Sequence, residues 1–240
     1  MSEPSLWSIS LCLQAHSLWQ STDPAPSLAY IPAMSRRRLS PLARMALHVA
    51  QAVSEVATDQ PQRMVFASRH GEINSTTQML HDLAQGVSVS PAAFSHSVHN
   101  AIPGLWSIFQ QQHGECASIA AGLDSLPIAL LEAATLLASD ASSPVLTLIA
   151  DEVPPACFSA YLDELAEPYA LALLLKQGKP NLRLSAMNGD SQSAVCLSDT
   201  GASRPPARPA ALTWHDWWLG EQQAPLEVRG ERHHWRWEKC

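Results

Sequence analysis

The sequence predicts an α/β protein in which a mixed sheet is covered by helices. Three observations point there. Apolar runs of strand length alternate with stretches of helical periodicity. One run, PVLTLIADE at 144–152, is apolar on both faces, as a strand buried between helical layers would be. A chain of 240 residues that is 46% hydrophobic can bury a substantial core.

The elements follow in order. The N-terminal SLWSISLCLQAHSLW alternates apolar residues with Ser and reads as a strand. It has neither the basic start of a signal peptide nor the solid apolar block of a membrane span. Ser40-Pro41 is a helix start, with the cap residue before a proline of the first turn. Leu42, Met45, Ala46, Val49, Val53 and Val56 then recur at helical spacing, to an end near Thr58. Residues 64–68, MVFAS, form a short strand. Asn74 or Ser75 opens a second helix that runs through Leu83, and Gly86 closes it.

VSVSPAAF is turn-like, and HSVHNAIPG reads as a hydrogen-bonded loop. ECASIAAG reads as a buried strand, since it carries small and apolar residues on both faces. A helix spans 125–138, and 144–152 is the clearest strand. YALALLLKQG at 169–178 is another, although its length also admits a helix. From residue 188 the composition turns to Ser, Pro, Gly and Ala, marking a long connection. It leads to a tail with Trp214, Trp217, Trp218, Trp235 and Trp237. The organisation is therefore a domain over 1–187, and a connection with a Trp-rich tail over 188–240 that packs back on it.

Composition narrows the function. The formal charge of -7, from 15 Lys and Arg against 22 Asp and Glu, argues against nucleic acid as a partner. The run Arg36-Arg37-Arg38 reads as a solvated face. Five cysteines without CxxC spacing point to neither a disulfide framework nor zinc, and fit a reducing cytoplasm. His96 and His99 stand three apart but have no acidic or Cys ligand beside them, so neither metal nor other cofactor is expected. His70 follows a strand end and reads as structural or solvent-facing. His233 and His234 read as exposed. Cys116 reads as a buried structural thiol, because no helix N-terminus lies close enough to lower its pKa.

Two segments, SVHNAIPGLWSI and SIAAGLDSLPIALLEAA, resemble the β-ketoacyl synthases of the thiolase-like superfamily, in their N-terminal half. In that family the second segment reads Cys-x-Ser-Gly followed by a helix, and polyketide-type members continue with Leu-Asp-Ser. Gly122, Leu123, Asp124 and Ser125 match that continuation, which places the nucleophile position at Ile119. An isoleucine cannot carry an acyl thioester. Cys116 stands an odd number of residues away and would face the other side of a regular strand. The His residues that complete a synthase site come from a second half for which this chain is too short.

The resemblance thus implies an inactive chain-length factor of the aryl polyene or type II polyketide kind. Such a subunit pairs with a β-ketoacyl synthase and meets the acyl carrier protein indirectly. It also implies a partner interface over Ser97, Val98, His99, Asn100 and Gly104, and over Cys116, Ser118, Ile119, Ala120 and Gly122. Residues limiting the acyl tunnel would be Glu72, Ser75, Thr76, Met79 and Leu80. Two alternatives stay open: an independent acyl-transfer enzyme using Cys116, and a non-catalytic scaffold that presents the Trp-rich tail to another protein.

Overall fold

Strand β5 (Tyr169–Lys176, YALALLLK) shows how the layers arise: Leu171, Leu173 and Leu175 turn to one face and Ala170, Ala172 and Leu174 to the other, and all six are fully buried. A strand covered on both faces requires helices above and below it. The computed structural model, which describes residues 5–56, 63–187 and 207–240, supplies them.

One mixed sheet of eight strands runs in the order β3-β2-β4-β5-β1-β6-β8-β7. Its strands are β1 (Ser5–Gln20), β2 (Arg63–Ala67), β3 (Cys116–Ile119), β4 (Val145–Asp151), β5, β6 (Leu182–Met187), β7 (Leu226–Arg229) and β8 (His234–Lys239). Strands β3, β2 and β4 are parallel, and every other pairing is antiparallel. The helices are α1 (Ala33–Arg36), α2 (Pro41–Ser54), α3 (Ile73–Ala84), α4 (Pro91–Ser97), α5 (Ala101–Gln110), α6 (Ser125–Ser139) and α7 (Ala210–Leu219). On one face α2 and α5 cover Met64, Phe66, Leu146 and Leu148; on the other α6 and α7 cover Val65, Val145 and Ile149.

Local chemistry fixes the ends. Ser40 caps α2 through its hydroxyl, which accepts from the Ala43 N–H at 3.0 Å, with Pro41 next to it. The helix ends at Ser54, short of the end expected near residue 58, and Val56 lies beyond it, exposed and without a core to pack on. Arg63, buried at the start of β2, donates to the carbonyls of Leu136, Asp140 and Ser143, so a buried charge stops α6. Strand β1 pairs through Ser5–Leu11 with β6 and through Cys12–Gln20 with β5. At the handover the Leu13 N–H donates to Asn181 Oδ1 at 2.8 Å, and Asn181 Nδ2 donates to the Leu13 carbonyl at 2.9 Å.

The C-terminal segment does more than lie on the domain. Strand β8 pairs with β6 inside the sheet, burying Trp235 and Trp237, while α7 buries Trp214 and Trp217. His233 and His234 are half-buried rather than exposed, and His233 packs edge-on against Trp235. The Ser- and Pro-rich connection from 188 lies outside the described residues.

Candidate functional site

The turn after β3 holds the second of the two segments singled out from the sequence. Among the described residues β3 is an edge strand, paired only with β2, from Met64 opposite Cys116 to Ala67 opposite Ile119. The expectation of a buried strand is corrected: Cys116 and Ser118 are exposed, and Ala117 and Ile119 half-buried. Small residues had the look of close packing, but with a neighbour on one side only they are left open. Cys116 is accordingly an exposed thiol rather than a buried one. The loss of nearby water still raises its pKa above the ordinary thiol range, which disfavours the thiolate a nucleophile needs. Ile119 packs against the α6-side core, on the face opposite Cys116.

Beyond Ile119, whose carbonyl accepts from the Ser68 N–H at 3.1 Å, the chain reverses through Gly122 at φ +55° into a short 3-10 turn and then α6. Ser125 Oγ donates to the Gly122 carbonyl at 2.8 Å and accepts from the Ala121 N–H at 3.2 Å. Asp124 stands at the N-cap of α6, yet its carboxylate does not cap that helix. It is buried and accepts from the Trp235 indole N–H at 2.7 Å and from the backbone N–H groups of Glu231 and Arg232 at 3.2 and 3.1 Å. Glu231 Oε1 in turn accepts from the Leu123 N–H at 3.1 Å. These partners were not foreseen from the sequence. The one available signal was the indole of a buried Trp235, which needs an acceptor.

Residues 97–104 form a helix junction, not the loop expected from them. Helix α4 ends at Ser97, and α5 starts after Asn100 with Pro103 in its first turn, where the missing N–H costs no hydrogen bond. VSVSPAAF likewise opens α4, Ser90 Oγ accepting from the Ala93 N–H at 3.3 Å. His99 Nε2 lies 3.0 Å from the Ser68 carbonyl, and its ring packs on Phe66, tying this junction to the end of β2. Val98, Asn100 and Gly104 are exposed, while Ser97 is half-buried.

Helix α3 carries the other candidates and buries none of its residues; nor does α4. Glu72, just before α3, is buried, and its carboxylate accepts from Ser40 Oγ at 2.5 Å and Ser75 Oγ at 3.1 Å. Burial raises its pKa, and the nearby Glu152 adds to the effect. Thr76 is exposed, Met79 half-buried, and Leu80 62% exposed. Phe94 on α4 (62%) and Ile108 on α5 (71%) extend the open apolar surface. Helices α3, α4 and α5 contact one another in sequence, and α5 reaches β3, so this surface adjoins the edge strand.

A polar knot lies behind the turn. Asp151, buried at the end of β4, accepts from Ser68 Oγ at 2.8 Å, the His70 N–H at 3.0 Å and the Tyr169 hydroxyl at 3.1 Å. Burial lowers the His70 pKa, and Arg69 beside it is paired with Asp163 and Glu164 at 2.6 and 3.3 Å. The knot joins three strand ends and offers no free nucleophile. Among the described residues no three His, Cys, Asp or Glu side chains group as metal ligands.

The family model described as "Beta-ketoacyl synthase, N-terminal domain" matches residues 11–238. A chain in the complex of the ketosynthase ApeO with its chain length factor ApeC, from Xenorhabdus doucetiae, is similar at a TM-score of 0.77 and 27% identity, covering 96% of this chain and 99% of that one. The ishigamide ketosynthase/chain length factor aligns at TM-score 0.57 and 17% identity over 71% of this chain and 58% of that one. A β-ketoacyl synthase from Burkholderia phymatum aligns at 0.58 and 13% over 72% and 53%. No curated protein matches. The chain spans little more than half of the latter two chains.

Proposed function

The chain belongs to the β-ketoacyl synthase family as its N-terminal domain, and from that premise we propose that it is a non-catalytic chain-length-factor subunit. It pairs with a β-ketoacyl synthase and shapes the tunnel in which acyl chains of the polyene or polyketide type grow on an acyl carrier protein. The observation that carries this reading is Ile119, a side chain without a nucleophile, at the end of an edge strand beside open apolar helices, where the resemblance puts the nucleophile position. The similarity to complexes described as ketosynthase and chain length factor supports it.

The physical logic is steric. A chain growing from the partner's nucleophile buries apolar area with each unit, gaining about 0.8 kcal/mol per CH₂, until it meets a side chain that does not move. Residues 75–80 of α3 line the surface where such a stop would stand, with Met79 and Leu80 the apolar ones. The carboxylate of Glu72 is committed to Ser40 and Ser75, so its part is to hold the start of that helix. The unpaired edge of β3 and the junction at 97–104 form the interface.

The test is co-expression with a candidate ketosynthase, native mass of the product, and condensation assays on each protein alone and on the pair. A one-to-one complex that elongates acyl chains only as a pair is the expected result, and Cys116→Ser leaves its rate unchanged. Absence of a complex, with acyl-thioester labelling of Cys116 in the isolated chain, would overturn the proposal in favour of an independent enzyme.

A further inference from the structure

Strands β3 and β7 stand at opposite ends of the strand order, yet the tip of the β7–β8 hairpin meets the turn that follows β3. The contact is reciprocal and close. A Cβ on Gly122 would stand 1.8 Å from Glu231 Oε1, and one on Gly230 would stand 1.5 Å from Asp124 Oδ1 and 2.7 Å from Trp235 Nε1. Each glycine thus faces the carboxylate that the other strand of the contact supplies. Asp124 spends its carboxylate on the hairpin although it occupies the N-cap of α6, where an aspartate ordinarily bonds its own helix. Glu231 lies on the exposed tip, so its bond to the Leu123 N–H is not a by-product of core packing.

We propose that the hairpin is the internal brace of the partner-facing turn, with Asp124 and Glu231 as positioning residues that hold 119–123 in the shape against which a ketosynthase subunit docks. This rests on the function proposed above. Among the described residues the turn has no strand on its outer side, and it is half-exposed or exposed from Ile119 to Leu123. An exposed segment that must present a fixed shape needs an anchor from within its own chain, because each residue left loose would have to be ordered on binding. Two carboxylates and two glycines provide one, and they place the last elements of the sequence in control of a surface formed near its middle.

The experiment compares the full chain with Glu231→Ala and Glu231→Gln, in hydrogen exchange of the chain alone and in affinity for the ketosynthase. E231A should speed amide exchange across 119–124 at least about threefold while the thermal midpoint stays within about 3 °C. It should weaken association about tenfold, the scale of one hydrogen bond to a charged group. E231Q keeps the acceptor oxygen and should restore both within about twofold. Gly122→Ala should weaken association further, and should do so less when E231A removes the carboxylate its Cβ would meet. A wild-type chain that binds while E231A binds equally well overturns the brace, whatever its exchange rates, as does a G122A penalty unaffected by E231A. A wild-type chain that binds no ketosynthase sinks the functional reading, and the brace with it.

Discussion

The two ends of the sheet treat their apolar side chains in opposite ways. Around β6, β8 and α7, Trp214, Trp217, Trp235 and Trp237 are no more than 3% exposed. Around β3 and α3–α5, Leu80, Leu83, Val87, Phe94 and Ile108 lie open to solvent. Both regions are apolar in sequence, but one is closed by its own chain and the other is not. Density of aromatics therefore does not by itself leave an open surface; the open surface here belongs to α3 and α4, helices that bury none of their own residues.

The contrast can be broken most forcefully on the closed side. Trp235→Ala should cost about 3–5 kcal/mol in urea unfolding, through the cavity left and through an Asp124 carboxylate deprived of its indole partner. A loss below 1 kcal/mol would mean that the tail is a loose cover. Deleting 207–240 would likewise unpair β6 and expose the core, so loss of partner binding on deletion would not identify the tail as an interface.

On the open side the effects should separate. Phe94→Asp or Ile108→Asp should leave the isolated chain within about 0.5 kcal/mol of wild type, yet weaken ketosynthase association more than about tenfold. Equal losses in both measurements would place these residues in the core after all.

Acid sharpens the comparison further. His16 on β1 and His215 on α7 pack edge-on at 5.3 Å, and burial lowers both pKa values below 6.5. His215 also senses Asp216, which opposes the shift, and Arg208, which adds to it; His16 Nδ1 is buried without a hydrogen-bond partner. With folded values below the unfolded one, the folded chain takes up fewer protons. The contribution is therefore complete above pH 6.5 and is lost as the pH falls below it. The urea midpoint should drop from pH 7 to pH 5.5, and H16Q/H215Q should flatten that slope; an unchanged slope would show that the pair does not couple α7 to acid. The smallest effect is reserved for Met79→Ala. It should cost the chain no more than about 1 kcal/mol while letting the complex extend its product by one or two units, as read by mass spectrometry.

Legibility in the sequence follows the same divide. Helices α2 and α6 and strands β2, β4 and β5 were readable because their apolar periodicity answers to a core made by this chain alone. Ser90-Pro91 carries the same start signal as Ser40-Pro41, yet α4 reads as a turn, because AAFSHS has no buried face to give it a period. HWRWEK alternates Trp inward with Arg and Glu outward, a strand signature overshadowed by its aromatic content. The junction at Gly122, a glycine between an apolar run and a helix, was legible. The ties of Leu123 to Glu231 and of Asp124 to Glu231 and Trp235 were not, since hydrogen bonds between residues more than 100 apart leave no local pattern.

Strand β1 has a consequence for how the chain is made. Ser5 pairs with Met187 and Gln20 with Tyr169, so β1 finds its partners only among residues made long after it. Until those emerge, Leu11 and Leu13 have no neighbours in the sheet, while the segments between hold helices α1 to α6 and the parallel strands β2, β3 and β4. Closure through such distant pairs is slow and leaves an apolar strand waiting during synthesis. The sheet is thus finished late, by contacts between parts of the chain that are far apart in sequence.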